Sequence, residues 1–239
     1  MIPRQIRNII FDFDGLLIET EEIAFNCVRD MFWSYGVDLP FSLWSQVIGG
    51  SGGTSGGSDV IDVYDYLEEK LGTVIDRASV RSVVRSRQQK LADELPLLPG
   101  VTEYISEGSL LGLKLAVASS SSGEWVNRQL ERRGLLNLFE VIVTRDDVAR
   151  PKPEPDIFNL VLEKLKCEPE ECIALEDSPN GVTAANRAGI FSVAIPNVMT
   201  KSLPLEHARI MLNSLSDIPL STLLGNVSSI LVKEGDYLY

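Results

Sequence analysis

Apolar positions along the chain fall into two regimes. After a first apolar run, Ile6 to Asp12, the segment to about Leu95 repeats its apolar residues at helical spacing. Ile23, Val28, Met31 and Phe32 mark a helix from Thr20 to about Tyr35, stopped by Gly36. The spacing predicts further helices over Val60 to Leu71 and Arg77 to Leu91. Between the first of these helices and the next lies a Gly/Ser-rich stretch, Val47 to Val60, read as a loop between helices that is either a mobile connection or closes on a substrate. Pro96, Pro99 and Gly100 punctuate the chain, and from there short apolar runs alternate with helical stretches. The runs Lys114–Ala118, Glu140–Val143, Cys172–Leu175 and Phe191–Ile195 predict strands, with a sixth at Ile210–Leu212. Helices are expected over Val101–Leu110, Glu124–Arg133, Asp156–Lys166 and Pro179–Ala188. The segment Asn226 to Tyr239 reads as an added hairpin turning at Glu234-Gly235-Asp236.

Alternating strands and helices imply an α/β fold with a parallel sheet covered on both faces, a three-layer α/β/α core. The expected division is a core of residues 1–17 and 96–239, with 18–95 an inserted all-helical domain.

Composition changes this picture little. The chain has 239 residues, and its net charge of -12 argues against nucleic acid and anionic membrane surfaces as partners. No apolar run approaches the ~20 residues of a membrane span. Acids interrupt the N-terminal apolar run, so no signal peptide is expected. The three cysteines, Cys27, Cys167 and Cys172, form no CxxC pair and suit free thiols in a reducing, cytoplasmic setting. Nothing in the sequence sets an oligomeric state, and a monomer is the expectation.

The chemistry begins at IIFDFDG, residues 9–15, where an apolar run ends in Asp12 and Asp14. On a strand, residues i and i+2 share a face. Carboxylates at a buried strand end are costly unless a metal or a reaction uses them. Such ends are where open α/β sheets place their sites. Three later strand ends supply partners: Ser119 and Ser120 after KLAVA, Lys152 after EVIV, and Glu176-Asp177 after CIAL. Each alone has a bland reading, as a loop serine, a surface lysine or a helix cap. In order and together they describe phosphoryl transfer, with a carboxylate nucleophile beside a lysine and a divalent cation.

These residues carry a resemblance. FDFDG, AVASS, RPKPEP and LEDSPNG resemble, in order, the four motifs of the haloacid dehalogenase superfamily, in its helical-cap phosphatase and β-phosphoglucomutase-like branch. The resemblance implies a Rossmann-like core, a cap over residues 18–95, and hydrolysis of a small phosphorylated metabolite such as a sugar phosphate or phosphoglycolate. It implies that Asp12 forms an aspartyl-phosphate and that Asp14 is the acid/base. Ser119, Ser120, Gly15 and Lys152 would hold the phosphoryl group. Asp12, Asp14 (through its carbonyl), Asp177 and Glu176 would hold Mg2+.

The chain departs from the family pattern in places. Glu19-Thr20 stands where Asp-Ser or Asp-Thr is usual, and Arg150-Pro151 precede the lysine. β-Phosphoglucomutase has a histidine in its first cap helix, where this chain has approximately Ala24; its one histidine, His207, falls in a late segment expected at the surface. Arg81, Arg85 and Arg87 lie on a later cap helix, either as a solvated face or as one that supplies a phosphate-gripping cation. These features favour a phosphatase over a mutase, with a non-catalytic ligand sensor as the remaining class.

Overall fold

The computed structural model describes residues 6–49 and 61–235. The strands are β1 (Asn8–Phe11), β2 (Lys114–Ala118), β3 (Val141–Val143), β4 (Cys172–Glu176), β5 (Phe191–Ala194) and β6 (Ile210–Met211). Each lies inside the run that the apolar pattern marks, except β4, which extends through Glu176. They form one sheet in the order β3-β2-β1-β4-β5-β6, parallel at every pairing.

The sheet is buried on both faces because its side chains alternate between two apolar layers. Ile9, Phe11, Leu115, Val117, Ile173 and Leu175 point to one layer. That layer is closed by α5 (Val101–Leu110), α6 (Gly123–Arg132) and α9 (Leu220–Gly235). Ile10, Ala116, Ala118 and Ala174 point to the other, covered by α7 (Asp156–Leu165) and α8 (Pro179–Arg187). Small alanines on this second face leave room for the larger Ile157, Phe158 and Val161 of α7.

The expected C-terminal hairpin is overturned by α9, which runs through residues 226–235 as helix. Leu220, Leu223 and Val227, at three- and four-residue spacing, are fully buried. The Glu107 carboxylate accepts from the Leu220 and Ser221 amides at 2.9 Å each, satisfying donors that a helix start leaves open. Residues 236–239 lie outside the described residues, as do 50–60, which contain most of the Gly/Ser stretch.

Helices α1 (Glu21–Ser34), α2 (Phe41–Trp44), α3 (Val63–Leu71) and α4 (Arg77–Ala92) follow β1. They share an apolar cluster of their own around Phe32, Trp44, Tyr64 and Leu67. Helix α2 was not expected; four residues are too few to show a period. Hydrogen bonds tie this helical segment to the sheet edge: Ser120 Oγ donates to the Gly49 carbonyl (3.1 Å) and Asn180 Nδ2 to the Ile48 carbonyl (2.8 Å).

Candidate active site

The strand order reverses between β1 and β4: β2 and β3 build outward on one side, β5 and β6 on the other. Such a switch point opens a crevice at the carboxyl ends of the strands. Phe11 is level with Val117 of β2 and Leu175 of β4, so Asp12, Ala118 and Glu176 come next in register. The Asp12 amide still donates to the Leu175 carbonyl (2.9 Å), which fixes its side chain at this rim.

Lys152 enters from beyond β3. Its Nζ donates to Asp12 Oδ1 (2.6 Å) and to the Ala118 carbonyl (2.8 Å), and pairs with Glu176 Oε1 (2.7 Å). Burial alone would lower its pKa; the charges and hydrogen bonds of Asp12 and Glu176 outweigh that and hold the ammonium above its ordinary value. Ligand oxygens of Asp12, Glu176 and Asp177 lie within 4.8 Å of one another, all buried. Desolvation, then the Asp12 charge, pushes both Glu176 and Asp177 upward. Among the described residues, Glu176 Oε2 and Asp177 Oδ1 have no hydrogen-bond donor. Buried oxygens without donors are rare in folded proteins, and a hard divalent cation is the partner that several converging carboxylates suit. The donor set therefore fits magnesium.

Two glycines let these acids approach. Gly15 has φ +80°, and a Cβ there would come 2.4 Å from Asp177 Oδ2. Its own amide donates to the Ile18 carbonyl (2.8 Å), and its carbonyl accepts from Asn197 Nδ2 (3.2 Å). Gly15 thus brings conformation to the site rather than a free N–H for phosphate. A Cβ on Gly181, in α8, would lie 1.7 Å from Glu176 Oε2.

Asp14 stands apart from the acid cluster. Its Oδ1 accepts from Thr20 Oγ1 (2.6 Å) and Trp125 Nε1 (2.9 Å), and its Oδ2 from Ser121 Oγ (2.6 Å). Desolvation raises its pKa and the Asp12 charge adds to that, against the lowering effect of the three donors. Ser119 is buried; its Oγ accepts from the Ser121 amide (3.0 Å), and it lies 3.5 Å from Asp14 Oδ2.

A cavity of about 220 Å³ reaches Asp12, Asp14, Ser119 and Ser120 from between α1, α4 and the sheet rim. Sequence reasoning missed Glu21, which lines it. Burial pushes the Glu21 carboxyl far upward, and the charges of Asp14 and Asp12 add to it. As an acid in the first turn of a helix it reads as dipole compensation, and no local signal marks it otherwise. Thr20, Ser121, Trp125 and Asn197 were also missed; each is recognisable only once the fold brings it to an aspartate. Of the arginines singled out on α4, Arg81 and Arg85 line the cavity, while Arg87 pairs with Asp30 (2.7 Å). Ala24 lines it too. His207 is exposed and sits 3.1 Å from Thr183 Oγ1, and Arg150 pairs with Asp156 (2.7 Å) at the surface. Cys167 and Cys172 are free thiols with Sγ atoms 3.5 Å apart. Among the described residues, no helix is long and apolar enough to cross a membrane.

The family model for haloacid dehalogenase-like hydrolases matches residues 9–195. The chain is 38% identical over 224 residues to the Putative phosphatase YhcW of Bacillus subtilis, covering 94% of this chain and 99% of that one. It is 29% identical over 230 residues to Hexitol phosphatase B of Escherichia coli strain K12, covering 93% and 99%. The solved structure of CbbY from Rhodobacter sphaeroides in complex with phosphate superposes with a TM-score of 0.71 at 29% identity, covering 89% of this chain and 96% of that one. The chain belongs to the haloacid dehalogenase-like hydrolase family, as an enzyme of its phosphoric monoester hydrolase kind.

Proposed function

We propose that the protein is a magnesium-dependent phosphatase for a small phosphorylated metabolite of the sugar-phosphate type, working through an aspartyl-phosphate on Asp12. The observation that carries this reading is the paired arrangement of the two aspartates. Asp12 is held by Lys152 among acids that suit a cation, and Asp14 is held on the cavity side by three donors.

Lys152 engages Asp12 Oδ1, and no described hydrogen bond occupies Oδ2. Oδ2 attacks phosphorus, and the bond from phosphorus to the ester oxygen breaks. Asp14, whose burial raises its pKa and so favours its acid form, gives a proton to the departing alcohol. Water then attacks the phosphorus of the acyl phosphate while Asp14 takes its proton, which frees phosphate and restores Asp12. The Ser119 hydroxyl and the Ser120 amide would face the phosphoryl oxygens, and Lys152 would balance their charge. Asp12, Asp177, the Asp14 carbonyl and, directly or through water, Glu176 would hold magnesium, which supplies neutralisation of the charge shared by carboxylate and phosphate. Residues 18–95 form the cap domain, and its seating over the rim keeps solvent from the acyl phosphate. Ala24 at the cavity wall offers no acid or base to a sugar that would reorient as a bisphosphate, which favours hydrolysis over a mutase.

The test is phosphate release from a panel of hexose, hexitol and pentose phosphates and phosphoglycolate, run with magnesium, with chelator and with Asp12→Asn. Release that needs both magnesium and Asp12 is expected. Interconversion of hexose phosphate isomers without release, or release that survives Asp12→Asn, would overturn the reading.

A further inference from the structure

Part of the cavity lining is divided in an informative way. Arg81, Val84, Arg85 and Gln88 follow the i, i+3, i+4, i+7 spacing of one face of α4, and all four line the cavity. Val84 meets Val28, Trp44, Val63 and Tyr64 to make an apolar floor. Trp44 is seated by Phe25 (ring centroids 5.7 Å apart), and Phe25 by Phe41 (5.9 Å, edge to face), so this floor is packed from behind. At its edge, Arg81 is committed: it pairs with Asp62 and lies over the Tyr64 ring. Arg85 and Gln88 make no hydrogen bond or ion pair among the described residues. The cavity thus offers apolar faces bordered by one guanidinium and one amide that have nothing to bind.

A polyol does not match this surface. Its hydroxyls project on all sides, and those turned to Val28, Val63 and Val84 would be buried without partners. A heterocyclic ring does match: its faces are apolar, and its hydrogen-bonding atoms lie in the plane of its edge. A primary amide carries both donor and acceptor and reads such an edge in a directional way. Nearer the phosphate, Glu21 stands as an acceptor for hydroxyls between ring and ester.

Resting on the phosphatase reading above, we propose that the substrate is a phosphate ester of a hydroxylated unit that carries a planar heterocycle, of the nucleoside 5′-monophosphate class. The ring lies on the apolar floor, and Gln88 and Arg85 read its edge.

The cleanest probe pair is uridine 5′-monophosphate against ribose 5-phosphate, which share ester and pentose and differ by the ring. With magnesium, kcat/KM for the nucleotide is expected to exceed that for ribose 5-phosphate and for sorbitol 6-phosphate by about tenfold or more. Gln88→Ala should cut the nucleotide-to-ribose ratio by about tenfold, through KM; half-exposed on a helix, position 88 accepts alanine without a folding penalty. Equal or better turnover of the ring-free esters overturns the proposal. So does a Gln88→Ala variant that slows both esters alike. Acetyl phosphate separates the two readings. If the wild type hydrolyses it with magnesium and Asp12→Asn does not, a missing ring preference refutes the heterocycle alone. If the wild type with magnesium releases phosphate from none of these esters, the phosphatase reading falls, and this proposal with it.

Discussion

At the residue scale, the site is built on a contrast between carboxylates one residue apart. Asp12 faces a buried ammonium, whereas Asp14 faces only neutral donors from Thr20, Ser121 and Trp125. The carboxylate held by the lysine is the one oriented to act as a nucleophile. A desolvated one with neutral partners is closer to its protonated form and can act as an acid. The split predicts a distinctive defect. Asp14→Asn should lower kcat on an alkyl phosphate by about 10²–10⁴-fold, the usual worth of a positioned acid or base. With p-nitrophenyl phosphate, whose leaving group needs no proton, the same variant should release one nitrophenol per site quickly and then stall at the acyl phosphate. Rapid-mixing kinetics would show this burst; steady, unaccelerated release from the first turnover would contradict the role. Trp125→Phe removes one of the donors that lower the Asp14 pKa, and should shift the acid limb of the kcat profile, where Asp14 acts as the base, upward in pH. Asp12, Ser119, Lys152, Glu176 and Asp177 were readable from sequence because each directly follows or ends a strand, or lies in the turn after one. The groups that aim Asp14 were not. They come from a helix cap, a serine turn and a distant helix, and only the closed fold makes them neighbours.

At the scale of elements, α3 and α4 are joined by charge in addition to their apolar cluster. Arg77 at the start of α4 is the hub. It donates to Glu68 at Nε (2.9 Å), to Asp62 (3.0 Å) and to Asp65 (2.7 Å), all from α3 or its cap. The Arg77 hydrogen bond, and then the Ile75 amide, pull the Glu68 carboxyl down to about 2. Its unfolded value is near ~4.3. A depressed carboxyl stabilises the fold fully above the unfolded value, and that stability is lost as pH falls toward the folded value. Thermal melts taken from about pH 5 down to pH 2.5 should therefore fall less steeply in Glu68→Gln than in the wild type. Superimposable slopes would mean that this cluster does not govern the acid limb. The same scale shows where the apolar pattern succeeds and fails. Strands buried on both faces appear as uninterrupted runs, and Gly36, Pro99 and Gly189 break the pattern where elements stop. The C-terminal segment was misread because its period was taken from Asn226 onward. The buried residues that define the helix, Leu220 and Leu223, lie before that point, and their partner Glu107 is on α5.

At the scale of the whole molecule, the function sets a cost in stability. The chain places Asp12, Glu176 and Asp177 at the centre of its sheet with Lys152 as the cation among them, and Asp14 and Glu21 add further negative charge nearby. Burial and mutual repulsion raise Glu176, Asp177, Asp14 and Glu21 together, so the folded state bears unfavourable charge that the unfolded chain does not. A bound divalent cation relieves that burden in the folded state alone. Magnesium at about 100 times its dissociation constant should add about 2.7 kcal/mol, which for a chain of this size corresponds to roughly 5–10 °C in Tm. Calcium, larger and equally charged, tests whether relief needs only charge. Asp177→Asn sharpens the argument because it removes one of the repelling charges and keeps an oxygen in place. In chelator the variant should melt higher than the wild type, its Tm should respond little to magnesium, and its phosphatase activity should be lost. A variant that melts lower than the wild type in chelator would show that Asp177 is held by its Asn197 hydrogen bond (2.6 Å) more strongly than it is repelled by its neighbours. The opposed movement of stability and activity on one substitution is what a site assembled for phosphoryl transfer, rather than for the fold, requires.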